Sequence, residues 1–144
     1  DGVALMYRPL SEIVRRDPVT LEPQRTIREA ASLMSTASIS SLLVVENGHL
    51  VGILTDRDLR LATNSPLLKE EDVVTRADLL SETPVSACMT SELLTVSSET
   101  PAVEAAQKLR LNRISAMPVL HDGALVGMIS ISDFVDHFIE KASG

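Results

Sequence analysis

The sequence is poor in aromatic rings, with two Phe, one Tyr and no Trp, too few for the platforms on which single-stranded bases stack. Cysteine is nearly absent: Cys88 alone can form no intrachain disulfide and no cysteine-based zinc site, which fits a reducing, intracellular setting. Basic residues are outnumbered, 13 against 20 acidic ones, for a formal charge of −7. That sign argues against general attraction to nucleic acid or anionic lipid, so no nucleic-acid partner is expected. No apolar run approaches the roughly 18–20 residues that span a bilayer. Residues 1–8 lack a signal-peptide pattern, so the expected location is cytoplasmic. Because the chain opens on Asp1, residues 1–8 are read as a tail or added sequence, with Met6 a candidate native start, or the chain as a piece of a longer protein.

What is present is globular composition. Hydrophobic residues make up 44% of the 144 and charged ones 23%, and a chain of this size buries about 68–70% of its unfolded surface. An internal repeat organises it. Displaced by 75 residues, Asp17–Arg60 overlies Glu92–Val135 without a gap, with 12 identities in 44 positions, among them Thr20/Thr95, Ala30/Ala105, Ser40/Ser115, Gly48/Gly123, Gly52/Gly127 and Asp58/Asp133. Two copies are too few for a solenoid, so the pattern predicts a pseudo-twofold pair whose apolar faces cover each other.

Each copy reads as β-α-β-β-α. Val19-Thr20-Leu21 and Leu94-Thr95-Val96 are short β-branched runs. Thr26 with Glu29 makes a capping box before the stripe Ile27, Ala30, Ala31, Met34. Thr100 is the expected cap in the second copy, with Pro101 at the first helical position and Ala102, Ala105, Ala106, Leu109 as the stripe. Leu42–Glu46 and His49–Leu54 are joined by Asn47-Gly48, and Met117–His121 and Ala124–Ile129 by Asp122-Gly123, the dipeptides that suit a type I′ hairpin. A last helix starts at Thr55 or Ser130. The fold class is thus α/β in composition with α+β character: two pseudo-twofold-related repeats packed through their sheets. The expected boundaries are 9–62 and 84–140 for the repeats, 63–83 for a solvated connector with a helical turn or two, and 141–144 for a tail.

These residues resemble a tandem pair of cystathionine β-synthase-type (CBS) domains, often called a Bateman module. The carriers are Asp17-Pro18-Val19-Thr20, the run from Val44 through Gly52-Ile53-Leu54-Thr55-Asp56-Arg57-Asp58-Leu59, Cys88-Met89-Thr90, Arg113-Ile114-Ser115-Ala116-Met117-Pro118-Val119, and the run from Gly123 through Gly127-Met128-Ile129-Ser130-Ile131-Ser132-Asp133-Phe134. The likeness covers about residues 9–138.

The chemistry concentrates in Gly52-x-x-Thr55-x-x-Asp58 and Gly127-x-x-Ser130-x-x-Asp133. Each sets a hydroxyl and a carboxylate at a helix start, where free N–H groups suit phosphate and a carboxylate can accept both ribose hydroxyls. Gly lets backbone approach a ligand closely. The same residues also spell a helix-capping box, in which the side chains only satisfy the helix's own amides, and both readings stand at this point. The resemblance implies an adenosine-containing ligand such as AMP, ADP or ATP in the cleft between the copies. It implies one pocket of Asp58, Thr55, Arg57, Met89, Leu94, Ile114 and Ser115, and another of Asp133, Ser130, Ser132, Val14, Val19, Ile39 and Ser40. Arg57, with Arg113 nearby, gives the first pocket a phosphate partner, the alternative for Arg57 being an exposed residue paired with Asp56 or Asp58. Ser132 replaces Arg57 in the second pocket, which therefore better suits a less charged adenosyl ligand, or none.

The remaining candidates are bland. His49, His121 and His137 lack metal-ligand spacing and read as surface residues, Cys88 as a small packed side chain, and Met34, Met117 and Met128 as core. No catalytic constellation, metal site or catalytic cofactor emerges. The expected function is regulatory, acting on a partner domain, a homodimer, or a larger enzyme, channel or transporter; the alternative is a ligand-free dimerisation module. The Ala-rich stripes and the last helix, through Phe134, Val135, Phe138 and Ile139, are the expected helix-packing surfaces.

Overall fold

The structure is a computed structural model that describes residues 4, 6–63, 78 and 80–143. Most of the expected connector lies outside the described residues; its end, 80–82, is helical. The chain divides into two compact units: unit I is Val19–Leu93, and unit II joins Asp1–Pro18 to Leu94–Gly144.

Unit I carries β2 (Thr20–Leu21), α1 (Ile27–Ala37), β3 (Ser41–Glu46), β4 (His49–Thr55) and α2 (Asp56–Thr63). Its sheet runs β2-β3-β4, parallel then antiparallel. Unit II holds β1 (Arg15–Arg16), β5 (Val96–Ser97), α3 (Ala102–Leu111), β6 (Ala116–His121), β7 (Ala124–Ser130) and α4 (Ile131–Ser143), with strand order β1-β7-β6-β5. The β-α-β-β-α order expected for each copy is present in both.

The hairpin turns form as their dipeptides require. Asn47 and Gly48 have φ of 50° and 80°, and Asp122 and Gly123 of 48° and 83°, the left-handed pair of a type I′ turn. Both β-α-β helices end alike. Ser38 and Arg113 take φ of 55° and 54°, and the next amides, Ile39 and Ile114, reach back to the Met34 and Leu109 carbonyls at 3.0 and 3.1 Å, a Schellman closure.

The helix starts differ. Thr26 caps α1, its hydroxyl accepting from the Glu29 amide at 3.2 Å. Thr100 does not cap α3: Pro101 occupies the N-cap with extended backbone, and the Ala102 amide donates to the Arg8 carbonyl at 2.8 Å. Because Arg8, next to the Pro9–Pro101 bridge, supplies the acceptor, no side-chain cap is needed there. Unit I repeats the bond, Ile27 N–H to the Thr83 carbonyl at 3.0 Å.

The cores follow the repeat. Leu42, Val44, Leu54, Ala30, Met34 and Val85 are buried in unit I, and Met117, Val119, Ile129, Ala105, Leu109 and Leu10 in unit II. Ala31, expected on the stripe of α1, is exposed, and Leu33 packs instead against the core. The Ala-rich stripes are core, not outer packing surface: Ala30, Ala102 and Ala105 are buried, because small side chains let each helix sit close on its own sheet. Phe134 also packs inward, while Ile131, Val135, Phe138 and Ile139 of α4 are exposed.

Leu10 and Val85 show that the structural repeat begins earlier than the sequence alignment. Each opens a 3-10 turn, Leu10–Glu12 or Val85–Ala87, behind a proline, Pro9 or Pro84, and each is fully buried. In each case the turn packs in the unit of the other sequence copy: Leu10 with α3 and its strands, Val85 with α1 and its strands. A buried aliphatic side chain of this kind stabilises by about 1.5–3 kcal/mol.

Candidate functional site

The close approach at two glycines builds each candidate site. At Gly52 a Cβ would collide with Met89 Sδ and stand 3.2 Å from the Thr90 carbonyl oxygen; at Gly127 it would collide with the Arg15 carbonyl oxygen and lie 2.8 Å from Val14 Cγ2. The missing side chain thus makes room for a crossing strand, not for a ligand as the sequence reading had it. In unit I this strand is a single bridge, Ile53 with Thr90, its two bonds 3.0 and 2.8 Å. In unit II it is β1, paired Arg15 to Met128 and Arg16 to Gly127.

The crossing strands deliver one further side chain to each helix start. In unit I the Asp58 Oδ2 accepts from the Thr55 amide and the Thr55 hydroxyl, both at 2.9 Å, while the Asp58 amide donates to Thr55 Oγ1 at 3.1 Å. Thr90 Oγ1 adds a hydrogen bond shared between Asp58 Oδ1 at 3.3 Å and Oδ2 at 3.4 Å. In unit II the Asp133 Oδ2 accepts from the Ser130 amide at 2.7 Å and the Ser130 hydroxyl at 2.9 Å. Here Arg15 stands where Thr90 stands in unit I, its Nε 2.9 Å from Asp133 Oδ1. The Asp133 side chain is 10% exposed and that of Arg15 is 60% exposed.

The capping box read from Thr55/Asp58 and Ser130/Asp133 is therefore formed in both copies. It consumes one carboxylate oxygen and leaves the other, Oδ1, to Thr90 or Arg15. Ser132 Oγ lies 3.2 Å from Ser130 Oγ, so it joins the same cluster. Arg57 is exposed and pairs with neither nearby Asp; Asp56 pairs with Arg60 at 3.2 Å instead.

The remaining expected residues are distributed by the hairpin register. Ser41 lies opposite Thr55 and Ala116 opposite Ser130, so the entrance to each hairpin meets the helix that follows it. The Ser40 carbonyl accepts the Asp56 amide at 2.9 Å, and the Ser115 carbonyl accepts the Ile131 amide at 3.0 Å. Within the units, Ser40 is thus brought to the Asp58 end and Ser115 to the Asp133 end, each beside the helix start of its own hairpin. Met89 lies against Gly52 and Val14 against Gly127. Val19 packs on the core of unit I, and Leu94 is half-buried in unit II.

Arg15 and Thr90 are the residues that sequence reasoning missed. The signal was available: extending the 75-residue register back by eight positions aligns Pro9 with Pro84, Ser11 with Ser86 and Arg15 with Thr90. Arg15 also changes the charge reading, since it places a cation in the half-site that Ser132 had seemed to leave without one.

Other features lie apart from these clusters. A groove of about 400 Å³ in unit II, bordered by Thr95, Lys108 and Asp122, has an equivalent of about 390 Å³ in unit I, by Thr20, Arg25 and Asn47. Both sit at the hairpin-turn ends and contain none of the expected site residues. Cys88 packs against the unit I core, and its thiol pKa is raised by burial and then by the charge of Asp58. His137 is half-buried, not a surface residue, and its Nε2 has no hydrogen-bond partner. No helix among the described residues is long and apolar enough to cross a membrane.

Comparison with known proteins agrees with this architecture. The profile of the CBS domain matches twice, at residues 10–64 and 85–140. A CBS domain-containing protein of Dictyostelium discoideum is 37% identical over 133 residues, 91% of each chain. The CBS domain-containing protein YhcV of Bacillus subtilis is 34% identical over 126 residues, 87% of this chain and 82% of that one. Among solved structures, the CBS domain pair of protein MJ0100, in complex with 5′-methylthioadenosine and S-adenosyl-L-methionine, superposes with a TM-score of 0.72 at 25% identity, covering 94% of this chain and 98% of that one. With the profile matched in both halves and the repeat visible in core, turns and caps, the chain belongs to the CBS domain family, as a tandem pair.

Proposed function

We propose that this CBS pair is a non-catalytic regulatory module that binds an adenosine-containing ligand of the AMP, ADP or ATP type, with Asp58 and Asp133 as the ribose acceptors. The observation that carries the reading is the way each carboxylate is held. Oδ2 is fixed by the amide and hydroxyl of Thr55 or Ser130 at 2.7–2.9 Å, which presets the orientation of Oδ1. A rigid acceptor loses little freedom when a diol donates to it. The adenosyl ligands of the MJ0100 pair support the same chemical class. Thr55 and Ser130 hydroxyls, the helix starts and the exposed Arg57 supply groups for phosphate. Regulation follows if the ligand contacts two arrangements of the module unequally, since only differential affinity shifts a population.

A second reading, a dimerisation module whose caps are only caps, is favoured by the exposed apolar side chains Ile131, Val135, Phe138 and Ile139 on α4. The two readings agree on a homodimer, which light scattering on the purified chain measures. They part on the ligand. Isothermal titration with AMP, ADP, ATP, S-adenosylmethionine and NAD, alongside Asp58→Ala and Asp133→Ala, is the test. Saturable heat that one variant abolishes is the result expected; absence of heat with every ligand would leave the dimerisation reading.

A further inference from the structure

The two candidate sites share the capping aspartate, the glycine and a crossing segment, and they differ in charge at the side chain which that segment delivers. Thr90 and Arg15 occupy the same repeat position, each carried to Oδ1 of the capping aspartate by the strand that crosses its glycine. Thr90 offers Asp58 a neutral hydrogen bond at 3.3 Å. Arg15 offers Asp133 a full positive charge at 2.9 Å. Since the Arg15 side chain is 60% exposed, the pair adds little to stability. Its consequence falls on what can use Asp133.

A nucleoside donating its two hydroxyls to Asp133 has to share Oδ1 with the guanidinium or displace it. An uncharged nucleoside gives the displaced guanidinium nothing in return. A ligand with a 5′-phosphate, two carbons beyond the 3′-hydroxyl, gives it a new counter-charge, in the planar, two-pronged geometry that arginine matches well. The Arg15 Nη atoms have no protein partner among the described residues, so they are free to take that role. The neighbouring Arg16 is committed elsewhere, its Nη2 donating to the Ser11 carbonyl at 3.2 Å. Nothing comparable opposes an uncharged ligand at Asp58.

Resting on the adenosyl-ligand reading, we infer that Arg15 is a specificity-determining residue that makes the Asp133 half-site select phosphorylated adenosyl ligands over uncharged nucleosides. The test compares adenosine with AMP, which differ by one phosphate. Equilibrium titration is run on the full chain as wild type, as Asp58→Asn to isolate the Asp133 half-site, and as Asp58→Asn combined with Arg15→Thr or Arg15→Lys. Circular dichroism checks the fold of each variant. In Asp58→Asn, AMP should bind about tenfold or more tightly than adenosine, as expected for one charge-assisted pair. Arg15→Thr should reduce that ratio to about twofold, partly by improving adenosine, and Arg15→Lys should restore part of it. An AMP-to-adenosine ratio unchanged by Arg15→Thr overturns the inference while leaving the proposed function intact. So does wild-type binding that Asp58→Asn abolishes for both ligands. Failure of the wild type to bind either ligand overturns the inference together with the reading beneath it.

Discussion

Gly52 and Gly127 are equivalent by the repeat, and adding one methyl group to each should have unequal effects. At Gly127 the new Cβ meets the Arg15 carbonyl oxygen and, at 3.0 Å, its carbonyl carbon. Those are backbone atoms held in the β1–β7 pairing, Arg15 to Met128 and Arg16 to Gly127, so relief requires the strand to move. At Gly52 the nearest atoms are Met89 Sδ and, at 3.0 Å, Met89 Cγ, the movable part of an unbranched side chain. The Thr90 carbonyl oxygen at 3.2 Å asks for only a small adjustment. Overpacking against fixed atoms costs about 1–3 kcal/mol, and the upper half of that range applies to Gly127→Ala. Replacing Gly within a strand returns about 0.5–1 kcal/mol at either position, which leaves a net loss of about 1–2.5 kcal/mol for Gly127→Ala and of near zero to about 1 kcal/mol for Gly52→Ala. In thermal unfolding the difference corresponds to a fall of roughly 3–10 °C for Gly127→Ala against about 4 °C or less for Gly52→Ala. Urea denaturation with an unchanged m-value would confirm that stability, not compactness, has altered. Equal losses in the two variants, or a larger loss at Gly52, would refute the distinction between backbone and side-chain obstruction.

Leu10→Ala should destabilise by about 2–4 kcal/mol in urea denaturation although it lies near the start of the chain, because Leu10 is fully buried in the unit II core; a loss under about 1 kcal/mol would show that the N-terminal turn is not part of that core. Asp58→Ala and Asp133→Ala should each lower stability by about 1 kcal/mol without any ligand, since each Oδ2 satisfies a helix-start amide and hydroxyl. Cys88 should react slowly with iodoacetamide near pH 8.5 and faster at higher pH, because burial and the Asp58 charge hold its thiol above the ordinary range; Asp58→Asn, removing the second cause, should speed the reaction at a fixed pH. The same shift gives the sign of the stability effect: the neutral thiol is favoured in the folded chain, so its contribution is present below the unfolded thiol pKa of about 8.5 and is lost as pH rises through the higher folded value. Stability that rises with pH in that range, once other groups are matched by a Cys88→Ser control, would contradict it.

Most of the fold was legible because its signals are local. Asn47-Gly48 and Asp122-Gly123 announce their turns by backbone conformation alone, and the buried stripe of α1 follows from helical spacing. Thr55 with Asp58 and Ser130 with Asp133 formed the capping boxes that their spacing spells. The failures were all non-local. Thr100 looked like a cap because the Arg8 carbonyl that satisfies Ala102 lies 94 positions earlier in the chain, from 102 − 8. The glycines looked open because the strands that fill their space, at Arg15 and Thr90, are distant in sequence from Gly127 and Gly52. That the Ser40 and Ser115 carbonyls meet the helix starts of their own units follows from hairpin register, which no short motif spells.

The pattern of identity between the copies then has a physical explanation. Gly52/Gly127 and Asp58/Asp133 are the same in both because each answers a backbone requirement that both copies share: room for a crossing strand, and an acceptor for a helix-start amide. Thr55/Ser130 differ only by a methyl group, since either hydroxyl closes the cap. Arg15/Thr90 and Arg57/Ser132 answer no such requirement. The side chains of Arg15 and Arg57 are largely exposed, and replacing either by a small hydroxyl residue leaves the cap and the strand pairing in place. Positions of this kind are free to diverge in charge without disturbing the fold. They are therefore where two copies of one scaffold can come to prefer different ligands, with the arginine beside the capping carboxylate in one unit and on the first turn of the helix in the other.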